Sequence, residues 1–88
     1  MTYSVKLSPH AAKQYRRIDG PIKSRLHAAF DTLQTSPASG PNVKPLKGQL
    51  RRYFRYRVGD YRIIYTIAMP ERIVYVDYIQ HRKDVYRP

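Results

Sequence analysis

Between Lys44 and Arg62 the chain carries Lys44, Lys47, Arg51, Arg52, Arg55, Arg57 and Arg62 against one acid, Asp60. Interleaved with them, Tyr53, Phe54, Tyr56, Val58, Tyr61, Ile63, Ile64 and Tyr65 are the aromatic and β-branched residues that sheets favour. Cations crowded onto adjoining strands repel one another, a cost that an anionic partner offsets. A strand also holds its side chains in rows, whereas a disordered basic tail leaves its charge diffuse. The stretch therefore reads as a preorganised cationic sheet face built to hold phosphates.

Alternation divides such a face in two. Phe54, Tyr56 and Val58 are expected to lie under helices, with Arg51, Tyr53, Arg55 and Arg57 facing outward. Arg62 on the next strand and Arg82 at the end of the last join the same face if the strand registers allow.

The elements that must position these residues can be read from the rest of the chain. Residues 3–8 alternate as a short strand. Ser8-Pro9 then predicts a helix start, with Ser8 as N-cap and Pro9 in the first helical position. Ala12, Tyr15 and Ile18 are expected to face inward, and Asp19-Gly20 to end that helix. Pro21 restarts it, and Ile22, Leu26, Ala29, Phe30 and Leu33 form the apolar stripe of an amphipathic helix. Ser36 to Gly48, with Pro37, Gly40, Pro41, Pro45 and Gly48, predicts an irregular connection. The remainder predicts strands at about 50–58, 61–68 and 72–80, joined by a tight Gly59-Asp60 turn and a turn near Met69-Pro70-Glu71. The expected fold class is α+β: an N-terminal strand, a helical hairpin and a three-stranded antiparallel meander, the helices packed on one face of the sheet. Tyr61, Tyr65, Tyr75 and Tyr78 are expected to pack in the core or against the sheet.

Bulk composition narrows the partners. At 88 residues the chain suits one domain, residues 1–88, and 42% hydrophobic residues suffice for one modest core. Seventeen Lys plus Arg against six Asp plus Glu leave a net charge of +11. With a pI near 10.3 this points to nucleic acid in preference to a membrane surface. No apolar run approaches the roughly 20 residues of a spanning helix, and no signal peptide is visible, so a cytoplasmic location is expected. The absence of cysteine excludes disulfides, thiol chemistry and Cys-rich zinc sites, and three scattered His residues form no ligand cluster, so neither metal nor small-molecule cofactor is expected.

The order of elements, together with Leu46-Lys47-Gly48, the run Tyr56-Arg57-Val58-Gly59-Asp60-Tyr61-Arg62-Ile63-Ile64-Tyr65 and the tail His81-Arg82-Lys83-Asp84-Val85-Tyr86, resembles the RelE/ParE superfamily of toxin–antitoxin toxins over essentially the whole chain. RelE-like members are mRNA endonucleases acting in the ribosomal A site; ParE-like members poison DNA gyrase and lack the nuclease residues. Arg82 and Tyr86, with Arg55, Arg57 and Arg62, resemble the RelE branch. The resemblance implies Arg62 and Arg55 at the phosphate, Arg82 near the leaving oxygen and Tyr86 orienting or stacking on a nucleotide. It also implies a neutralising antitoxin, covering the arginine row or displacing the segment that carries Tyr86. Tyr53 departs from the pattern, standing where RelE has a lysine assigned to catalysis; either Arg51 or Arg52 compensates or the proton acceptor differs.

RNA carries its own nucleophile, the 2′-hydroxyl, so a nuclease of this kind needs in-line geometry, a proton acceptor, cations at the phosphate and an acid for the departing 5′-oxygen. Asp60 is expected in a turn, and Asp77 and Asp84 are isolated, which leaves no carboxylate pair for metal-dependent cleavage. Arginine grips two phosphate oxygens while staying charged but is a poor base. Base duty falls to His81, to Tyr86 or to no well-tuned group, with imidazole the best generic acid/base by chemistry. Lys44, Lys47, Arg51, Arg52, Tyr53 and Arg57 are candidates for holding RNA phosphates. A site so poor in tuned groups is expected to depend on the ribosome to orient the message. A gyrase inhibitor without nuclease activity and a catalytically inert RNA- or ribosome-binding module remain the alternatives.

Overall fold

In the computed structural model, which describes residues 2–85, strand β1 (Ser4–Leu7) leads through Ser8 into helix α1 (Pro9–Arg17). The Ser8 hydroxyl accepts the Ala11 amide at 3.0 Å, and Pro9 takes the first helical position, where a missing N–H costs nothing. Arg16 and Arg17 in the last turn complement the negative end of the helix dipole. Ala11 is the residue this helix buries, with Tyr15 and Ile18 packed beside it, so the expected inward position of Ala12 is one residue off. Helix α2 (Pro21–Leu33) buries Leu26, Ala29 and Leu33 and packs Ile22 and Phe30 at the core margin, the predicted stripe. Tyr15 and Phe30 meet edge to face at 5.5 Å, joining the two helices.

The helices cover one face of a five-stranded sheet of order β1-β5-β4-β3-β2, completed by β2 (Val43–Pro45), β3 (Phe54–Val58), β4 (Tyr61–Ala68) and β5 (Ile73–His81). The expected meander is present as β3, β4 and β5, but two further strands extend it. β1 pairs in parallel with β5, and β2 forms inside the segment expected to be irregular. β2 spans three residues and ends at Pro45 on an edge, where proline's missing donor is tolerated. The first meander strand begins at Phe54 instead of near residue 50. Gly48–Leu50 form a 3-10 turn that Gly48 enters at φ 69°, and Arg51 and Arg52 lie in the turn that follows, outside any strand.

Val58 pairs with Tyr61 across the predicted Gly59-Asp60 turn. Gly59 has φ 56°, a left-handed conformation that favours glycine, and a Cβ there would sit a tight 3.3 Å from Ile22 Cδ1, which would have to give way by a few tenths of an ångström. The sheet contributes Ile63, Tyr65, Val74 and Val76 to the core, all fully buried beneath Leu26 and Leu33. The Tyr65 hydroxyl donates to the Pro37 carbonyl at 2.5 Å, and burial raises its pKa. Tyr61 and Tyr78 are half-buried, whereas Tyr75 is exposed, contrary to its expected packing.

One irregularity controls the end of the sheet. Ile64 pairs with Tyr78 but Tyr65 pairs with Val76, leaving Asp77 as the extra residue of a β-bulge. The freed Asp77 carbonyl accepts the Ser8 hydroxyl at 2.6 Å, while the Ser8 amide donates to Val76 at 2.9 Å. The residue that caps α1 thus also holds the bulge. Beyond the end of β1, Gln14 of α1 bonds both backbone groups of Ile79, at 2.7 and 2.8 Å, in place of a strand partner. Among the described residues no helix is long and apolar enough to cross a membrane.

Candidate nucleic-acid interface

Sheet register arranges the cations in two transverse rows on the face away from the helices. In the first, Arg57 of β3 lies directly opposite Arg62 of β4, which in turn faces Gln80 of β5. The Arg57 amide points the other way, donating to Asn42 at 3.0 Å, so Arg57 and Arg62 form a non-hydrogen-bonded pair. That is the closer of the two antiparallel pairings, with Cα atoms about 4.5 Å apart. In the second row Lys44 of β2 faces Arg55, Arg55 faces Ile64, and Ile64 faces Tyr78. Ile64 is only 3% exposed although it lies on the face opposite the core cluster, between Arg55 and Tyr78. Arg55 donates through Nη1 to the Asn42 carbonyl at 3.1 Å, and partial burial, followed by Arg62 and Arg57, lowers its pKa.

Arg82 completes the first row. It opens the short helix α3 (Arg82–Val85) at the end of β5, and its amide donates to the Asp60 carbonyl at 2.7 Å. Its guanidinium lies 3.9 Å from the Asp60 carboxylate, an exposed ion pair that contributes little to stability. Arg57, Arg62 and Arg82, with Gly59 and Asp60, line a concavity of about 220 Å³. That is the space of about seven waters, enough to seat a phosphodiester group. Three guanidinium groups against one carboxylate give it the charge that suits an anion.

Tyr53 precedes β3, and its hydroxyl donates to Asp77 Oδ2 at 3.1 Å. That bond, and then the charge of Asp77, raise its pKa, so the residue is a phenol at neutral pH. Lys47, Arg51 and Arg52 are exposed around the 3-10 turn.

His81 stands apart from this group. It pairs with Tyr61, which packs against the core, so its ring lies on the helix side of the sheet, edge-on to Tyr61 at 4.8 Å. A hollow there is lined by Ile22, Arg25, Gly59, Asp60, Tyr61 and His81. Tyr86 lies outside the described residues. Asn42, Asp60 and Asp77 take part in the site without having been singled out for it. Asp60 carried a signal, as the one acid between Lys44 and Arg62; Asn42 acts through its backbone carbonyl, which residue type does not reveal. Among the described residues no three His, Asp or Glu side chains are grouped to hold a metal.

A model of the ParE toxin family of type II toxin–antitoxin systems (parDE) matches residues 5–86. The toxin RelG of Mycobacterium tuberculosis is 30% identical over 88 residues, covering 99% of each chain. In the archaeal RelE–RelB complex of Pyrococcus horikoshii, the matching chain superposes with a TM-score of 0.79 at 26% identity, covering 93% of this chain and 97% of that one. The toxin–antitoxin complex RelBE2 of Mycobacterium tuberculosis gives a TM-score of 0.67 at 25% identity, covering 93% of this chain and all of that one.

Proposed function

The chain belongs to the RelE/ParE superfamily of type II toxin–antitoxin toxins, and from that premise we propose that it is an mRNA endonuclease that cuts message in the ribosomal A site. The observation that carries this reading is the concavity where Arg57, Arg62 and Arg82 converge. In the proposed reaction the 2′-oxygen bonds to the adjacent phosphorus and the bond to the 5′-oxygen breaks. The 2′-hydroxyl gives up its proton to water and the departing 5′-oxygen takes one from water, leaving a 2′,3′-cyclic phosphate and a 5′-hydroxyl. Arg57 and Arg62 hold the non-bridging oxygens, whose charge grows in the transition state, and Arg82 lies toward the leaving oxygen. Arg55 and Lys44 carry the adjoining phosphate, with Lys47, Arg51, Arg52 and Tyr53 extending the track. Tyr86 orients a nucleotide.

Among the described residues no group on this face is a tuned general base: the arginines stay protonated and Tyr53 holds its proton against Asp77. Catalysis is therefore chiefly positioning, and the ribosome supplies the in-line geometry of the message. The named relatives in complex with RelB support a cognate antitoxin for this chain. A basic concavity suits an acidic segment of that antitoxin, which would occlude the phosphate site directly.

Primer extension on a defined message, with and without programmed ribosomes, tests the proposal. Cuts confined to the A-site codon and reduced at least about 10²-fold in Arg82→Ala are expected. Equal cleavage of naked and ribosome-bound message would contradict the positioning mechanism. The match to the ParE family favours a second reading, inhibition of DNA gyrase without chemistry. Growth arrest with intact message and DNA breaks would establish that one instead.

A further inference from the structure

We propose that His81 is a positioning residue: its imidazole caps α3 and so seats Arg82 in the cationic concavity, and its proton state decides whether the cap is in place. The Lys83 amide donates to His81 Nδ1 at 3.0 Å. His81 immediately precedes α3, so this is the N-cap bond, an acceptor side chain satisfying an early amide of the helix. Ser, Thr, Asp and Asn usually do this; an imidazole does it only with Nδ1 bare and the neutral ring's proton on Nε2.

The ring's position excludes it from the phosphate site. It faces Tyr61 on the helix side of the sheet, whereas Arg57 and Arg62 project from the other side. The backbone links the two sides. Arg82, the next residue, is tied to the Asp60 carbonyl through its amide and shares the concavity with Arg57 and Arg62. Asp60 and the His81 cap together set the direction in which α3 leaves the sheet. Protonation places a hydrogen on Nδ1, turns the acceptor into a donor facing the Lys83 N–H, and removes the cap. Among the described residues, the titratable and charged groups that line the hollow at the ring are Arg25 from α2, Asp60 from the turn and Tyr61 from β4, with Arg82 and Lys83 following along the chain.

The test compares wild type, His81→Asn and His81→Ala, because asparagine caps a helix without titrating. Two readouts are taken: nuclear magnetic resonance of the Lys83 amide and the imidazole nitrogens, and single-turnover cleavage of message on programmed ribosomes. The cleavage arm rests on the nuclease reading; the resonance arm does not. In wild type, Nδ1 should be the unprotonated nitrogen, and the Lys83 amide signal and the cleavage rate should change together as pH is lowered. His81→Asn should keep neutral cleavage within about twofold and lose that acid-side fall, while His81→Ala should lose about fivefold at every pH. Equal damage in His81→Asn and His81→Ala, or a Lys83 amide unmoved by His81→Ala, would overturn the cap. If wild type cuts no message, the nuclease reading fails, and the resonance signals of the three proteins decide the cap alone.

Discussion

Arg57 and Arg62 stand opposite each other across the β3–β4 hairpin as a non-hydrogen-bonded pair, two like charges at the closest cross-strand approach the sheet offers. Like charges so placed destabilise a sheet by up to about 1 kcal/mol. Removing one should relieve that repulsion and, if the pair holds a phosphate, weaken catalysis. Arg57→Gln is expected to raise stability by a few tenths to about 1 kcal/mol in urea unfolding. Message cleavage should fall about 10²-fold. A variant that loses stability along with cleavage would make Arg57 a structural support instead.

The Tyr53–Asp77 bond makes a prediction in pH. Ionising the phenol breaks the hydrogen bond and sets two negative charges side by side, so the folded-state pKa of Tyr53 is raised. The linked stabilisation is complete below the unfolded value of about 10 and is lost as pH rises through the raised folded value. Asp77→Asn should move the Tyr53 titration back toward the ordinary tyrosine range, followed by the ring-carbon resonance. Tyr53→Phe should leave the pH dependence of cleavage unmoved near neutrality. Disappearance of a limb of that profile in Tyr53→Phe would identify Tyr53 as a proton carrier.

Ser8 joins two features distant in sequence: it caps α1 and its hydroxyl satisfies the Asp77 carbonyl freed by the bulge. Ser8→Ala should cost about 1–2 kcal/mol, for the lost cap and the unpaired carbonyl. Ser8→Thr, which keeps the hydroxyl, should cost much less. The Tyr53–Asp77 bond should loosen in Ser8→Ala, visible as a lower Tyr53 titration. Unchanged stability in Ser8→Ala would show the bulge to be self-supporting.

What the chain announces locally is what local chemistry governs. Ser8-Pro9 specifies a helix start because cap acceptor and fixed φ act within one turn. The Ile22-to-Leu33 stripe specifies the buried face of α2. Gly59-Asp60 between two β-branched and aromatic runs specifies a hairpin, and alternation then puts Arg55 and Arg57 on one side of it. These features are set by neighbours a few residues away, and the family resemblance follows from them. The segment around Val43–Pro45 shows the limit: its proline and glycine content predicts irregular chain. Its pairing comes from β3, whose open edge accepts even three residues.

Tertiary structure decided the faces beyond the bulge. Simple alternation from the buried Val76 would turn Tyr78 and Gln80 toward the helices and His81 outward, beside the arginines. The extra residue at Asp77 reverses that parity: Tyr78 faces out, Ile79 is buried, and His81 turns to the helix side. Nothing in the residues 76–81 signals the slip, because its cause lies elsewhere, in the Ser8 hydroxyl and the Gln14 amide that satisfy the backbone there. The sequence by itself determined that a cationic sheet face exists and which strands carry it. Which residues meet in the concavity, and that His81 lies on the other side, depended on register, a property of strands paired over long separations.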